Sequence, residues 1–270
     1  MNTSPITLRS AVPDDHDAVV VLTRQRRNQL AEWEPVFWRK RAGSDENHAS
    51  FLHWCLSDAS PLSAFVAVSG TSVVGCVIIS PQPRAFFDDL CVADPSMWAT
   101  VGAILLGAPR SGPALLCAPS KDTEQQKWLT TVPQWVTASY SFSIVLTPST
   151  NPRPHPIVIV PGPIVDSPVH PFGGSIDPAL ADGLRIANEE GIVIGDASVE
   201  PPIYDPGGPT TVIDRIVGQN REALLNHAID AAGARGDAQL IVVADVHDDE
   251  LIGLMSAAGG TQPVVNWVRG

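Results

Sequence analysis

The 270-residue sequence has no long hydrophobic run. Its most apolar stretches, such as VIVPGPIV, are short and broken by Gly and Pro, far below the roughly 20 residues that a bilayer-spanning helix needs. The N-terminal MNTSPITLRS lacks the basic-then-apolar order of a secretory leader, so the expectation is a soluble, cytoplasmic protein that does not act on membranes. Basic residues are scarce, 17 Lys and Arg against 29 Asp and Glu, giving a net charge of −12. That balance excludes nucleic acid and anionic lipid as main partners, since both require Lys/Arg neutralisation, and it mildly favours a cationic or amine-bearing partner. The four cysteines, Cys55, Cys76, Cys91 and Cys117, form no CxxC, and read as buried thiols in a reducing compartment. GxxxxGK[ST], GxGxxG and GxSxG are absent, and PFGGSID around Ser175 resembles the last only superficially. His247-Asp248-Asp249 reads as a helix cap rather than a metal site; His48 and His53, five apart, do not share a helical face. No metal is expected.

What is present is enough apolar sequence, 44%, with 17% charged residues, to bury a core. AVPDDHDAVVVLTRQRRNQLAEW and SDENHASFLHWCLSD predict two helices, the second with Ser44 or Asp45 as cap. SAFVAVSG and TSVVGCVIISP predict a hairpin turning at Gly70-Thr71. RAFFDDLCVAD is a further strand. VADPSMWATVGAILL then turns into a helix cut short by GAPRSGP. ALLCAP, SKDTEQQKWLTT and QWVTASYSFSIVLTP read as strand, short helix and long closing strand. TPSTNPRPHP reads as a linker. Beyond it, DPALADGLRIANEEG looks helical, IVIGDASVEP extended and TTVIDRIVG a strand. NREALLNHAIDAAGARG is the clearest helix, ending near Gly233 or Gly236. AQLIVVAD, DDELIGLMSAAGG and QPVVNWV give strand, helix, strand. Interleaved strands and helices predict an α/β (α+β) fold.

The halves rhyme. LLCAPSKDTEQQKWL (115–129) and LIVVADVHDDELIGL (240–254) superpose without a gap, and the same shift carries Asp89 onto Asp214 and Val92 onto Val217. The match breaks between strand and helix, where Val92 to Leu106 spans fifteen residues and Val217 to Leu225 nine.

This order resembles the GNAT superfamily of acyl-CoA-dependent N-acyltransferases, its tandem members in particular. ITLRSAVPDDHDAVVVL looks like the family's first strand and helix, FVAVSGTSVVGCVII like its second and third strands, and FFDDLCVADP like its fourth. The resemblance implies two GNAT-like domains with mixed central sheets flanked by helices: 1–148, a Pro-rich linker at 149–156, and a degenerate domain at 157–270, well matched only from Thr210. In the family, Q/R-x-x-G-x-G/A follows the fourth strand, and its backbone N–H groups point at the pyrophosphate of acyl-CoA. Here Met97, Thr100 and Gly102 fall on the three signature positions, so one survives. The implied acetyl-CoA contacts are Val92, Thr100, Val101, Gly102 and Ala103, in a degraded cradle. The second loop, VGQNREALL, is shorter, with Gln219 and Arg221 near the glycine positions, and is expected to be structural.

The resemblance implies a catalytic base on the fourth strand, Asp88 or Asp89; neighbours in a strand face opposite sides, and which of them faces the cleft stays open. The family's acid is a tyrosine; Leu129 and Met255 stand at the corresponding positions, and Tyr140 reads as a packed aromatic. Trp33, Glu34, Phe37 and Trp38 would suit a small-molecule amine, since aromatic faces and carboxylates favour cations. The implied activity is acetyl-CoA-dependent N-acetylation of a small amine. The alternative is a non-catalytic GNAT-fold binding or assembly protein, and a homodimer is possible in either case.

Overall fold

The computed structural model describes residues 5–80, 85–110, 112–146, 184–188, 191–199 and 210–270. The expected linker at 149–156 and the Ser175 segment lie outside the described residues. The chain divides into two compact units. The first is Met1–Pro35, Lys40–Thr137 and Asn266–Gly270; the second is Val36–Arg39 and Ala138–Val265. Compactness therefore groups the last five residues with the first unit, and the strand that closes the first sequence half largely with the second.

In the first unit, β1 (Ile6–Ser10), β2 (Ser63–Ser69), β3 (Ser72–Ser80), β4 (Ala85–Val92) and β5 (Ala114–Pro119) lie in sequence order. Pairing is antiparallel as far as β4, and β4 and β5 run parallel. Pro13 opens a 3-10 turn that leads into α1 (His16–Trp33). The Asp15 carboxylate accepts the Val12 N–H at 2.8 Å and clamps Arg9 at 2.6 and 2.7 Å. Val20, Thr23, Arg27 and Leu30 are buried on α1, a helical stripe. On α2 (Ser44–Cys55) the buried set is Ser44, His48, Leu52 and Cys55. Its cap is Gly43, at φ 74°, not Ser44 or Asp45; Asp45 is committed instead to cations on α1 and at Lys40. Val19, Val20 and Leu52 of these helices share a core with Val66, Cys76, Ile78 and Cys91 of β2–β4. On the other sheet face, a Cβ at Gly75 would lie 2.5 Å from Val101 and 3.0 Å from Leu105. Glycine there lets a π-helical turn (Trp98–Gly102) and α3 (Ala103–Leu106) close onto β3. α4 (Thr123–Leu129) is capped by Asp122, which accepts from the Gln125 N–H at 3.0 Å.

The second unit orders its strands β6 (Trp135–Val145, from Ala138 onward), β10 (Gln239–Asp245), β9 (Thr210–Gly218), β8 (Gly191–Val199) and β7 (Leu184–Asn188). Pairing is antiparallel except between β9 and β10. α5 (Arg221–Arg235) ends on Gly236 at φ 88°, and α6 (Asp249–Ala257) is capped by Asp248. β11 (Thr261–Arg269) starts in this unit and ends in the first. The helix expected over DPALADGLRIANEEG is not found at 184–188. Those residues form β7 and pair with β8 from Leu184↔Gly195 to Asn188↔Gly191, a ladder partner overriding local helix propensity.

The two units each carry a register change at positions that the sequence match pairs. β3 and β4 change register around Asp89–Leu90, between Ile78↔Asp88 and Cys76↔Cys91. β8 and β9 change register at Asp214, between Gly195↔Ile213 and Ile194↔Arg215. The parallel ladder ends at Phe87↔Leu116 in the first unit, two residues before Asp89, and at Ile213↔Val242 in the second, one residue before Asp214.

Candidate active site

Beyond Phe87↔Leu116 no ladder pair joins β4 to β5, although both strands continue, to Val92 and Pro119. The edges therefore part at Asp88. The cause is the bulge: Asp89 has φ 46°, a left-handed conformation uncommon outside glycine, and an extra residue in one strand bends it away from its neighbour. The strict alternation expected for Asp88 and Asp89 stops here.

The Asp88 carboxylate accepts the Asp89 N–H at 2.9 Å. Burial, and then the charge of Asp89, push Asp88 up to about 8. Asp89 goes the opposite way. Burial would raise it, but its contact with His48, and then the charge of Arg27, hold it below the ordinary carboxylate range. The His48 Nε2 to Asp89 Oδ2 distance is 2.7 Å. On its other side the His48 ring meets the Arg27 guanidinium, which also donates to Asp45 Oδ1 at 3.1 Å. Two thiols mark the surroundings. Burial raises Cys55 on α2 to about 12, with both aspartates adding to the shift, and burial and then the charge of Asp88 raise Cys117 on β5 to about 12. Asp88 thus lies within electrostatic reach of the far wall of the split. All four cysteines are free. Cys76 and Cys91 are cross-strand partners with sulfurs 3.2 Å apart. Among the described residues no His, Cys, Asp and Glu group could hold a metal ion, and no helix is long and apolar enough to cross a membrane.

The turn after β4 is built differently from the cradle its spacing implies. Asp94 accepts from the Ser96 N–H at 2.8 Å and the Ser96 hydroxyl at 2.6 Å, contacts that hold its carboxyl below the usual range. The Met97 N–H donates to Asp94 O, that of Trp98 to Pro95 O and that of Ala103 to Thr100 O. Those amides are engaged by the chain itself. The Thr100 hydroxyl donates to Met97 O at 3.2 Å. Val92 sits opposite Gly75, and Val101 is fully buried against it. Packing alone already requires glycine at 102. A Cβ there would be 2.8 Å from Trp98 and 2.9 Å from Trp128, whose rings stack with centroids 5.5 Å apart. Gly102→Ala is accordingly expected to cost roughly 1–3 kcal/mol by overpacking, read as a lower urea midpoint. An unchanged midpoint would show that the indoles yield freely.

Trp33 and Glu34 spend their cation-binding capacity on the chain's own cations. Arg26 lies 5.2 Å over the Trp33 ring, and Lys121 meets Glu34 at 2.9 Å and Trp33 O at 2.7 Å. Arg26 is itself paired with Asp122 at 2.7 Å. Phe37 and Trp38 are buried, packed edge to face at 4.5 Å, and belong to the second unit. Leu129 and Met255 are fully buried, and Tyr140 packs edge-on against Phe142. In the second unit Asn220 caps α5, and Arg221 is paired with Asp248 and Glu250; Asp248 also caps α6. Arg27 and His48 are the residues that the motifs did not single out. Their signal was a charged and a titratable residue on the core-facing stripes of two helices.

No family model and no curated protein matches the sequence. Among solved structures the chain is similar to a GCN5-related N-acetyltransferase from Sphaerobacter thermophilus, at 13% identity over 99% of this chain and 96% of that one, with a TM-score of 0.51. It is similar also to a candidate acetyltransferase from Thermoplasma acidophilum, at 10% identity over 98% and 100%, again with a TM-score of 0.51. The fold is that of the GNAT acetyltransferases.

Proposed function

We propose that the first unit of this GNAT-fold protein is an N-acyltransferase site for a small amine, with the donor's thioester arm lying between β4 and β5 and the amine's proton passing to Asp88. The observation that carries this reading is the end of the β4–β5 ladder at Phe87↔Leu116, directly beside a partly buried carboxylate pair. A thioester supplies an electrophilic acyl carbon and a sulfur leaving group. The chain's part is to receive the proton of a substrate ammonium. A carboxylate raised to about 8 matches that task near neutral pH, and its un-ionised form needs no cation in the protein.

The residues fit acetyl-CoA, the donor implied by the fold, only in part. Unpaired strand edges suit an amide-bearing pantetheine arm. A diphosphate does not fit the turn: Asp94 puts a fixed carboxylate at its start, Met97 brings no charge, and the amides of Ser96, Met97 and Trp98 are already bonded. The donor is therefore held by its arm, and weakly. A second reading, a GNAT-fold binding module without catalysis, is favoured by the same filled turn.

Calorimetric titration separates them. Acetyl-pantetheine and acetyl-CoA are expected to bind the wild type with similar affinity. Asp94→Ala, which removes the fixed anion, is expected to tighten acetyl-CoA by about 3- to 10-fold, the scale of one helix-terminus charge, and to leave acetyl-pantetheine unchanged. No heat from either thioester at millimolar concentration would leave the non-catalytic reading standing.

A further inference from the structure

We infer that Arg27 and His48 form a positioning relay: Arg27 fixes the His48 ring, His48 holds the Asp89 carboxylate as an acceptor, and proton exchange with the amine is thereby assigned to Asp88. The role given to Asp88 rests on the transferase reading; the relay itself rests on geometry.

Arginine has donors and no acceptor, so the His48 nitrogen facing it, Nδ1, must accept. The ring proton then sits on Nε2 and is donated to Asp89 Oδ2 at 2.7 Å. Both ring nitrogens are spent, and the ring is 1% exposed, so it has neither room nor a partner for a flip. The Arg27 side chain is 3% exposed and anchored through its second nitrogen to Asp45, which Lys40 and Arg24 also approach, at 3.2 and 3.5 Å. Three cations thus contact Asp45, and the chain of donors runs one way, from α1 through α2 to β4.

Asp89 is held at φ 46°, a conformation that costs on the order of 1–2 kcal/mol for a residue with a Cβ. The charge-assisted bond from His48 offsets that strain and orients the carboxylate. Asp88 has no such anchor. Its carboxylate accepts the neighbouring N–H, and among the described residues no cation pairs with it. The groups facing the pair are Arg27 on α1, His48 and Cys55 on α2, Cys76 on β3, whose thiol lies 3.9 Å from Asp89 O, and Cys117 on β5. The thiols stay protonated near neutral pH, so Asp88 is the member of the set left free to take up and release a proton there.

Carboxyl NMR of the full chain labelled with aspartate at Cγ tests this without any substrate. The expected wild-type result is one carboxyl with a midpoint of about 8; Asp88→Asn removes that signal, and Asp89 stays ionised through the neutral range. His48→Gln preserves the relay, because Oε1 can accept from Arg27 while Nε2 donates to Asp89, and leaves the midpoint in place. His48→Leu breaks it, and Asp89 then takes up a proton in the neutral range. Should that variant not fold, Asp89→Asn serves instead: removing the neighbouring charge lowers the Asp88 midpoint by about one pH unit or more. The relay is overturned if Asp89 is the carboxyl that titrates in the wild type, if His48→Gln moves the midpoint as far as His48→Leu, or if Asp89→Asn leaves it unmoved. Failure to bind any thioester overturns the transferase reading alone, and leaves the relay as a structural device.

Discussion

Asp88→Asn is expected to lower acyl transfer by about 100- to 10,000-fold, the range for loss of a positioned general base, while strengthening the fold at alkaline pH. Transfer is measured as thiol release from acetyl-CoA with small primary amines. The stability arm follows from the direction of the shift. The folded-state value, about 8, lies above the unfolded value. The stabilisation that Asp88 gives is thus full below the unfolded value of about 4 and is lost as pH rises through the folded one, at about 1.4 kcal/mol per pH unit. Asparagine has no such loss. The gap in unfolding free energy between variant and wild type should therefore widen in favour of the variant up to about pH 8 and then level. A variant that transfers acyl groups like the wild type would remove Asp88 from the chemistry. A gap independent of pH would show that its carboxyl is not held protonated by the fold.

The second large effect is at Arg27. Arg27→Leu strips the cation from a buried network that includes His48, Asp45 and Asp89. Removing it is expected to cost about 3 kcal/mol, the lower end for one partner of a buried pair, because His48 Nδ1 loses its donor while Asp45 keeps Lys40 and Arg24. Arg27→Lys keeps the charge but has no planar fork to reach both His48 and Asp45, and should fall between wild type and Leu in urea unfolding. If Arg27→Leu unfolds at the wild-type midpoint, the network carries no weight.

The order of elements could be read from the sequence because each signal is local. Pro13 ahead of α1, the caps Asp122 and Asn220, the Gly70 turn and the closing Gly236 act within one turn of themselves. The stretch 184–188 could not, since a strand partner supplied by β8 outweighed its helix-like pattern. At the site, Asp88 and Asp89 stood out as adjacent carboxylates on a strand with family spacing. The bulge did not: a left-handed aspartate leaves no trace in alternation. Gly102 stood out for a reason the structure replaces, because glycine permits two indoles to pass beneath it as readily as it permits a phosphate to approach.

What the sequence determined by itself was most of the succession of strands and helices and the pairing of two acidic residues on β4, both matters of neighbours along the chain. What only the tertiary structure decided was the meaning of those residues. Arg27, His48 and Asp89 are separated by 21 and 41 positions and meet because two amphipathic helices bury the faces that carry them. The different fates of Asp88 and Asp89 follow from that meeting: a carboxylate's affinity for a proton is set by the charges and solvent around it, and those are fixed by packing.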